Sequence, residues 1–253
     1  MKPKAKPRTH EQPLIATMRL DLALDMDHEL VQLAGVIPWN NLAAEFGPLY
    51  CADNGRPAVP IRLMAGLHYL KHLKGLSDEQ TVRGWVENPY WQFFCGEEFF
   101  QHSLPIDPSQ MTRWRQRIGE DGVEKLLQAT ITAGMKAGVI TETSLDKVIV
   151  DTTVQPKAVE HPTDARLYTL KRHLRRRSAV EPEIGHMKND GLLGRNFLKG
   201  MKGVAMNALL CGAGHNLRKI LAKVRFGLYG WAATWCKWIW WGSVVPFQGF
   251  QAA

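Results

Sequence analysis

The sequence predicts a mainly helical protein: a helical N-terminal domain over 14–138, then a region where one strand gives way to helices again. Three observations carry this. From Val59 to Leu73 the apolar residues Ile61, Met64, Leu67, Leu70 and Leu73 recur every third position, one stripe along a helix. Start and stop signals follow in helical order. Gly75 suits a helix end, Ser77 with Gln80 three later fits a capping box, and Asn88-Pro89 stops the next helix. Only at "KVIVDTTV" does the pattern become short and β-branched, which suits a buried strand over Val148 to Val150.

The elements follow in chain order. Residues 1–13 form a polar arm rich in Pro and Lys, and this composition predicts disorder. Leu14 to Phe46 holds short apolar clusters around Pro38-Trp39. After the striped helix, a capped one carries Val82, Trp85 and Val86. The aromatic stretch "YWQFFCGEEFF" from Tyr90 reads as packing between helices rather than as a platform for stacking bases. "DPSQMTRWRQRIG" reads as a helix with Ser109 as N-cap and Met111, Trp114 and Ile118 on one face. Arg113, Arg115 and Arg117 then fan around its other side. A short basic helix after a turn suits DNA reading, and an amphipathic helix with solvated arginines has the same pattern. Glu120 to Lys136 is a further amphipathic helix closed by Gly138. After the strand comes a proline loop, "QPKAVEHPTDA". Helical character resumes over Ala165 to Lys188 and again in "VAMNALLCGAGHNLRKILAKVRF", with Gly212 and Gly214 inside it. Residues 139–225 make up this second region. Residues 226–253 are a Trp-rich tail, either a sticky terminal helix or a membrane-surface segment, and too interrupted to span a bilayer.

Composition narrows the function. The 253 residues carry a formal charge of +8, and it is concentrated. Arg166 to Arg225 holds 14 Lys or Arg against three acids, Glu181, Glu183 and Asp190. A second basic cluster, Lys2, Lys4, Lys6 and Arg8, opens the chain. Concentrated positive charge points to a polyanion such as DNA, because neutralised phosphates release counterions. Cys51, Cys95, Cys211 and Cys236 are far apart and form no C-x-x-C pair, which argues against zinc and against a secreted disulfide framework. With no apolar signal sequence after the basic N-terminus, the expected location is cytoplasmic, with no membrane partner.

Two stretches resemble parts of one active site. An apolar run ends in Asp151, and a carboxylate at the end of a buried strand is a fixed ligand for a hard cation such as Mg²⁺. Most such residues simply mark a strand end. The second stretch is Arg177-x3-Glu181-x6-Lys188, which on a continuous helix sets one acid between two cations on one face. A surface helix laced with ion pairs has the same spacing, but Pro182 counts against a plain mid-helix salt bridge.

On these residues the chain resembles the DDE-type insertion-sequence transposases of the group named for insertion sequence five. Gly75 to Leu127 is similar to that group's N-terminal domain, "VDTTVQPKAVEHPTDARLY" to the segment around its first catalytic Asp, and "LRRRSAVEPEIGHMKNDGLLGRNFLKGMKGVAMNALLCGAGHNLRKIL" to the segment around its catalytic Glu. The family signature Y-x2-R-x3-E-x6-K is met by Arg177, Glu181 and Lys188, with Leu174 where the Tyr would stand. The resemblance implies Asp151 and Glu181 as catalytic, Mg²⁺-binding carboxylates in a ribonuclease-H-like α/β domain. It implies the terminal inverted repeats of the element as ligand, with Arg113, Arg115 and Arg117 from the basic-helix pattern and Arg177 and Lys188 from the spacing around Glu181 as the expected DNA contacts. Homo-oligomers, or mixed oligomers with a full-length copy, are the expected protein partners.

The resemblance also exposes a gap. Only 29 residues separate Asp151 from Glu181, and Asp164 is the one Asp among them. At about 3.3 Å per residue that length spans two strands at most, and the proline loop and basic helix already occupy it. The family's central segment with its second catalytic Asp therefore reads as deleted near Thr169 to Lys171, leaving a truncated catalytic domain. The expected chain is an inactive internal-deletion derivative, with two alternatives beside it: a DNA-binding inhibitor of the full-length enzyme, or a remnant without function.

Overall fold

The structure is a computed structural model that describes residues 19–50, 58–141, 181–194, 196, 198 and 200–242, with side chains up to Arg225 in the last stretch. Its helices are α1 (Leu20–Ala23), α2 (Glu29–Val36), α3 (Trp39–Phe46), α4 (Ile61–Lys74), α5 (Asp78–Glu87), α6 (Pro89–Phe94), α7 (Pro108–Lys136), α8 (181–190) and α9 (Gly200–Gly242). Among the described residues the only β pairing is one antiparallel bridge, Arg19 to Phe99. No ribonuclease-H-like sheet is evident in them, and the expected strand at Val148 to Val150 lies outside them.

α4 is the centre. Its sequence stripe is buried, and so is nearly everything else on it, from Ile61 to Leu73. A helix covered on every side must settle its polar groups internally. Accordingly, His68, Lys71 and His72 are buried along with the leucines. Gly75 ends α4 in the left-handed conformation, φ 66° and ψ 40°, a shape that costs glycine little. Ser77 and Gln80 then form a complete capping box on α5. Asn88 caps α6 by accepting from the amides of Tyr90 and Trp91, so Asn88-Pro89 both stops one helix and starts another. The aromatic stretch goes into packing: Phe94 is fully buried, and its ring meets Trp39 edge-on at 5.3 Å.

α7 has two halves. Gly119, at φ 67° and ψ −169°, breaks the helix between them. The N-cap is Asp107, not the Ser109 expected from sequence. Asp107 accepts from the Ser109 amide at 2.9 Å, with Pro108 in the first helical position, where its missing N–H costs nothing.

α9 packs along α7, α4 and α2. Its Leu210, Ala213, Leu217 and Ile220 are no more than 1% exposed and belong to the same core as Leu67 and Leu70 of α4, Trp85 of α5 and Leu126 of α7. The core therefore runs across the sequence boundary at 138/139. Gly214 makes the contact with α4 close enough: a Cβ there would stand 2.6 Å from the His72 carbonyl oxygen. Past its midpoint α9 is tied to α2 by the ion pair of Arg225 with Glu29.

Candidate functional site

The first half of α7 carries two of the expected DNA contacts on a braced frame. Met111, Trp114 and Ile118 point into the core, as their spacing implies. Arg113 and Arg117 are exposed and one turn apart, so they share a face. Arg115 corrects the sequence reading: it is 3% exposed and faces inward. Its guanidinium grips Asp78 with two bonds of 3.0 and 2.6 Å and donates to Thr112 Oγ1 at 2.9 Å. Lys71 Nζ reaches the same carboxylate at 2.6 Å. One acid on α5 thus ties α4 to α7.

The electrostatics follow from burial. Burial works to raise the Asp78 pKa, but the Arg115 hydrogen bonds and the charges of Lys71 and Arg115 outweigh it and hold the carboxyl far below its usual range. His68 lies beside this group, Nδ1 at 2.8 Å from the Met64 carbonyl oxygen and Nε2 3.4 Å from Arg115. Burial, helped by the Arg115 charge, pushes its pKa down to about 3, so the ring is neutral at neutral pH. His72 is driven down for the same reason, burial first.

Tyr50 braces the exposed side. Trp114 Nε1 donates to its hydroxyl at 2.9 Å, and its ring lies 5.1 Å from the Arg117 guanidinium carbon. Sequence reading missed Lys71, Asp78 and Tyr50. Their partners lie 7 to 64 residues away, and no local pattern marks them.

A cavity of about 1090 Å³ opens between α5, α7 and α9 beside the Asp78 group. Asp78, Glu79, Glu120 and Asp121 line it together with Lys71, Arg115 and Lys202, a lining of mixed charge.

The acid-bearing segment is only partly described. Glu181 lies on α8 and is exposed, as is Lys188 seven residues on. Glu183 fastens α8 to α9 through His215 Nε2 at 2.8 Å and Lys219 Nζ at 3.1 Å. The Lys219 hydrogen bond lowers the Glu183 pKa, so this neighbouring acid is already committed. Cys211 Sγ donates to the Gly191 carbonyl at 2.8 Å and Arg218 to the Asp190 carbonyl at 3.3 Å, which anchors the end of α8 on α9, while Arg218 also donates to the His72 carbonyl of α4 at 2.7 Å. Asp151 and Arg177 lie outside the described residues. Among the described residues no three or more His, Cys, Asp or Glu side chains are arranged to hold a metal ion, and no helix is long and apolar enough to cross a membrane.

Two family models match the chain. The one described as Transposase domain (DUF772) matches residues 18–117, and the one described as Transposase DDE domain matches residues 147–221. A relative from Rhizobium meliloti, named as uncharacterized protein ORF8 in the nfe locus, is 50% identical over 191 residues, covering 75% of this chain and 88% of the relative. No solved structure matches.

Proposed function

The chain belongs to the transposase family, and from that premise we propose that it binds the ends of an insertion sequence without cutting them. It would be a derivative of a DDE transposase of the insertion sequence five group that lacks the central segment of its catalytic domain. The observation that carries this reading is the spacing of the acids. Both Asp151 and Glu181 fall inside the matched DDE region, yet only 29 residues lie between them, and Asp164 is the one further Asp. Asp151 and Glu181 are the residues that would hold Mg²⁺, which would supply the activated water or hydroxyl for phosphodiester cleavage. As a donor set they fall one carboxylate short of the family's three, and no cleavage step is assigned to this chain.

Two findings support a folded DNA-binding protein over a remnant. The core of the helical domain is closed by α9, a segment from beyond the proposed junction. The second is that this chain covers 88% of the length of the Rhizobium meliloti relative, as expected if both lack the same central segment. The proposed DNA contacts are Arg113 and Arg117 on α7, with Lys188 on α8 and Arg177 before it. A chain that occupies element ends without cutting them lowers transposition by a full-length copy.

The test is incubation with an end-containing duplex and Mg²⁺ or Mn²⁺, with a gel shift on the same samples. The expected outcome is a salt-dependent shift without cleavage. Cleavage that disappears in Asp151→Ala and in Glu181→Ala overturns the inactive reading. No shift at low salt overturns DNA binding.

A further inference from the structure

Resting on the reading of α7 as a DNA-contacting helix, we propose that Tyr50 is a positioning residue that holds the Arg117 guanidinium ready for a DNA phosphate. Arg117 is exposed, and long exposed side chains pay rotamer entropy when a ligand fixes them. Here part of that ordering is built in. The Tyr50 ring lies 5.1 Å from the guanidinium carbon, within the range at which a cation is attracted to a ring face. That ring has little freedom of its own, because Tyr50 is 7% exposed and its hydroxyl accepts from Trp114 Nε1 at 2.9 Å. Trp114 is 4% exposed and packs its ring edge-on against Phe46 at 5.5 Å and beside His68 at 4.9 Å.

The frame beneath is equally fixed. Arg115, between the two exposed arginines in sequence, is locked on Asp78, and Asp107 caps the helix start. Arg113 stands four residues before Arg117, a rise of about 6 Å along the helix. The result is a pair of outward guanidinium groups one turn apart, of which Arg117 is pre-oriented. Such a pair suits the phosphates of a DNA strand, which planar guanidinium forks bind well.

The experiment is fluorescence anisotropy of the full chain on a labelled duplex of mixed sequence, from about 50 to about 200 mM salt. Arg117→Ala should reduce the slope of log K against log salt by about 0.9. Tyr50→Leu should leave that slope unchanged and weaken binding about two- to five-fold. In the Arg117→Ala background the same Tyr50→Leu change should have no further effect. Tyr50→Phe keeps the ring and should keep the affinity, although Trp114 loses its acceptor and the melting temperature falls. If Tyr50→Leu does not fold, Arg117→Lys takes its place: the slope should hold while the affinity falls, because an ammonium lacks the planar stacking face.

A Tyr50→Leu effect of equal size with and without Arg117 overturns the proposal, since Tyr50 would then act through stability alone. Loss of affinity in Tyr50→Phe overturns it too, because the ring would not be what matters. An unchanged slope in both Arg113→Ala and Arg117→Ala, with binding retained, overturns the α7 reading itself and the role of Tyr50 with it.

Discussion

The two halves of α7 share one amphipathic design and differ in the charge they show to solvent. Before Gly119 the exposed turn carries Arg113 and Arg117; after it come Glu120, Asp121 and Glu124. Both halves bury a full apolar face, Met111, Trp114 and Ile118 in the first and Val123, Leu126 and Ala133 in the second. Glu120 and Asp121 sit in the first turn of the second half, where the helix dipole favours negative charge. The first half begins on the Asp107 cap, carries its arginines in later turns and is braced from outside by Asp78 and Tyr50. Gly119 separates a half built as scaffold from a half suited to a polyanion, although to a count of charges α7 is one helix of mixed sign.

The sharpest way to break this difference is to remove the brace. Arg115→Met leaves the partly buried Asp78 carboxylate with Lys71 and a long bond from Thr112, and so imperfectly matched. The expected loss is about 3 to 5 kcal/mol, seen as a lower denaturation midpoint with unchanged m-value. Arg113→Ala, on the same half-helix but exposed, should stay within about 0.5 kcal/mol of the parent. Equal effects from the two would mean that Arg115 is not the anchor the geometry describes.

Next in size is the contact of the scaffold half with the C-terminal helix. Leu217→Ala on α9 should cost about 2 to 5 kcal/mol in the single unfolding transition of the chain. A separate low-temperature transition, with the main one unmoved, would instead mean that α9 unfolds apart from the helical domain.

The pH dependence tests the charges around the brace. His68 is neutral in the fold with a pKa near 3, against about 6.5 unfolded, so between these values the unfolded chain binds more protons. Stability therefore falls as pH drops below about 6.5, by roughly 1.4 kcal/mol per unit for one such histidine. His72 acts in the same direction. Asp78, with a depressed folded pKa, adds its loss only below the unfolded carboxylate value near 3.9. Melting curves on His68→Gln should lose part of the slope between pH 6.5 and 4, and an unchanged slope would remove His68 from the account.

Local features of the fold were legible in sequence because their causes are local. The α4 stripe, the Ser77–Gln80 box and the break at Gly119 each lie within a few residues of what produces them. Arg115 misled because its neighbours Arg113 and Arg117 are exposed, while its acid partner is 37 residues away. Tyr50 was silent because its partner Trp114 is 64 residues away. The family and its two matched domains were legible from motifs. The group within the family, the internal deletion and the roles of Asp151 and Glu181 remain proposals carried by spacing.

The smallest effects concern the hinge between the halves. At Gly119 an added Cβ meets nothing within 4 Å, so packing places no bar on alanine there. The bar is the backbone: φ 67° with ψ −169° is a shape that L side chains rarely adopt. Gly119→Ala should therefore cost about 1 to 3 kcal/mol through conformation alone. Gly212 on α9 is the control. It is also roomy, with Leu127 Cδ1 at 3.6 Å from the added Cβ, but its backbone is helical. Gly212→Ala should gain about 0.4 to 1 kcal/mol by restricting the unfolded chain. Opposite signs from two equally unobstructed glycines would isolate the Gly119 turn as the feature that divides α7, whereas a neutral Gly119→Ala would mean that the two halves can join into one continuous helix and that Arg113 and Arg117 do not depend on the break for their direction.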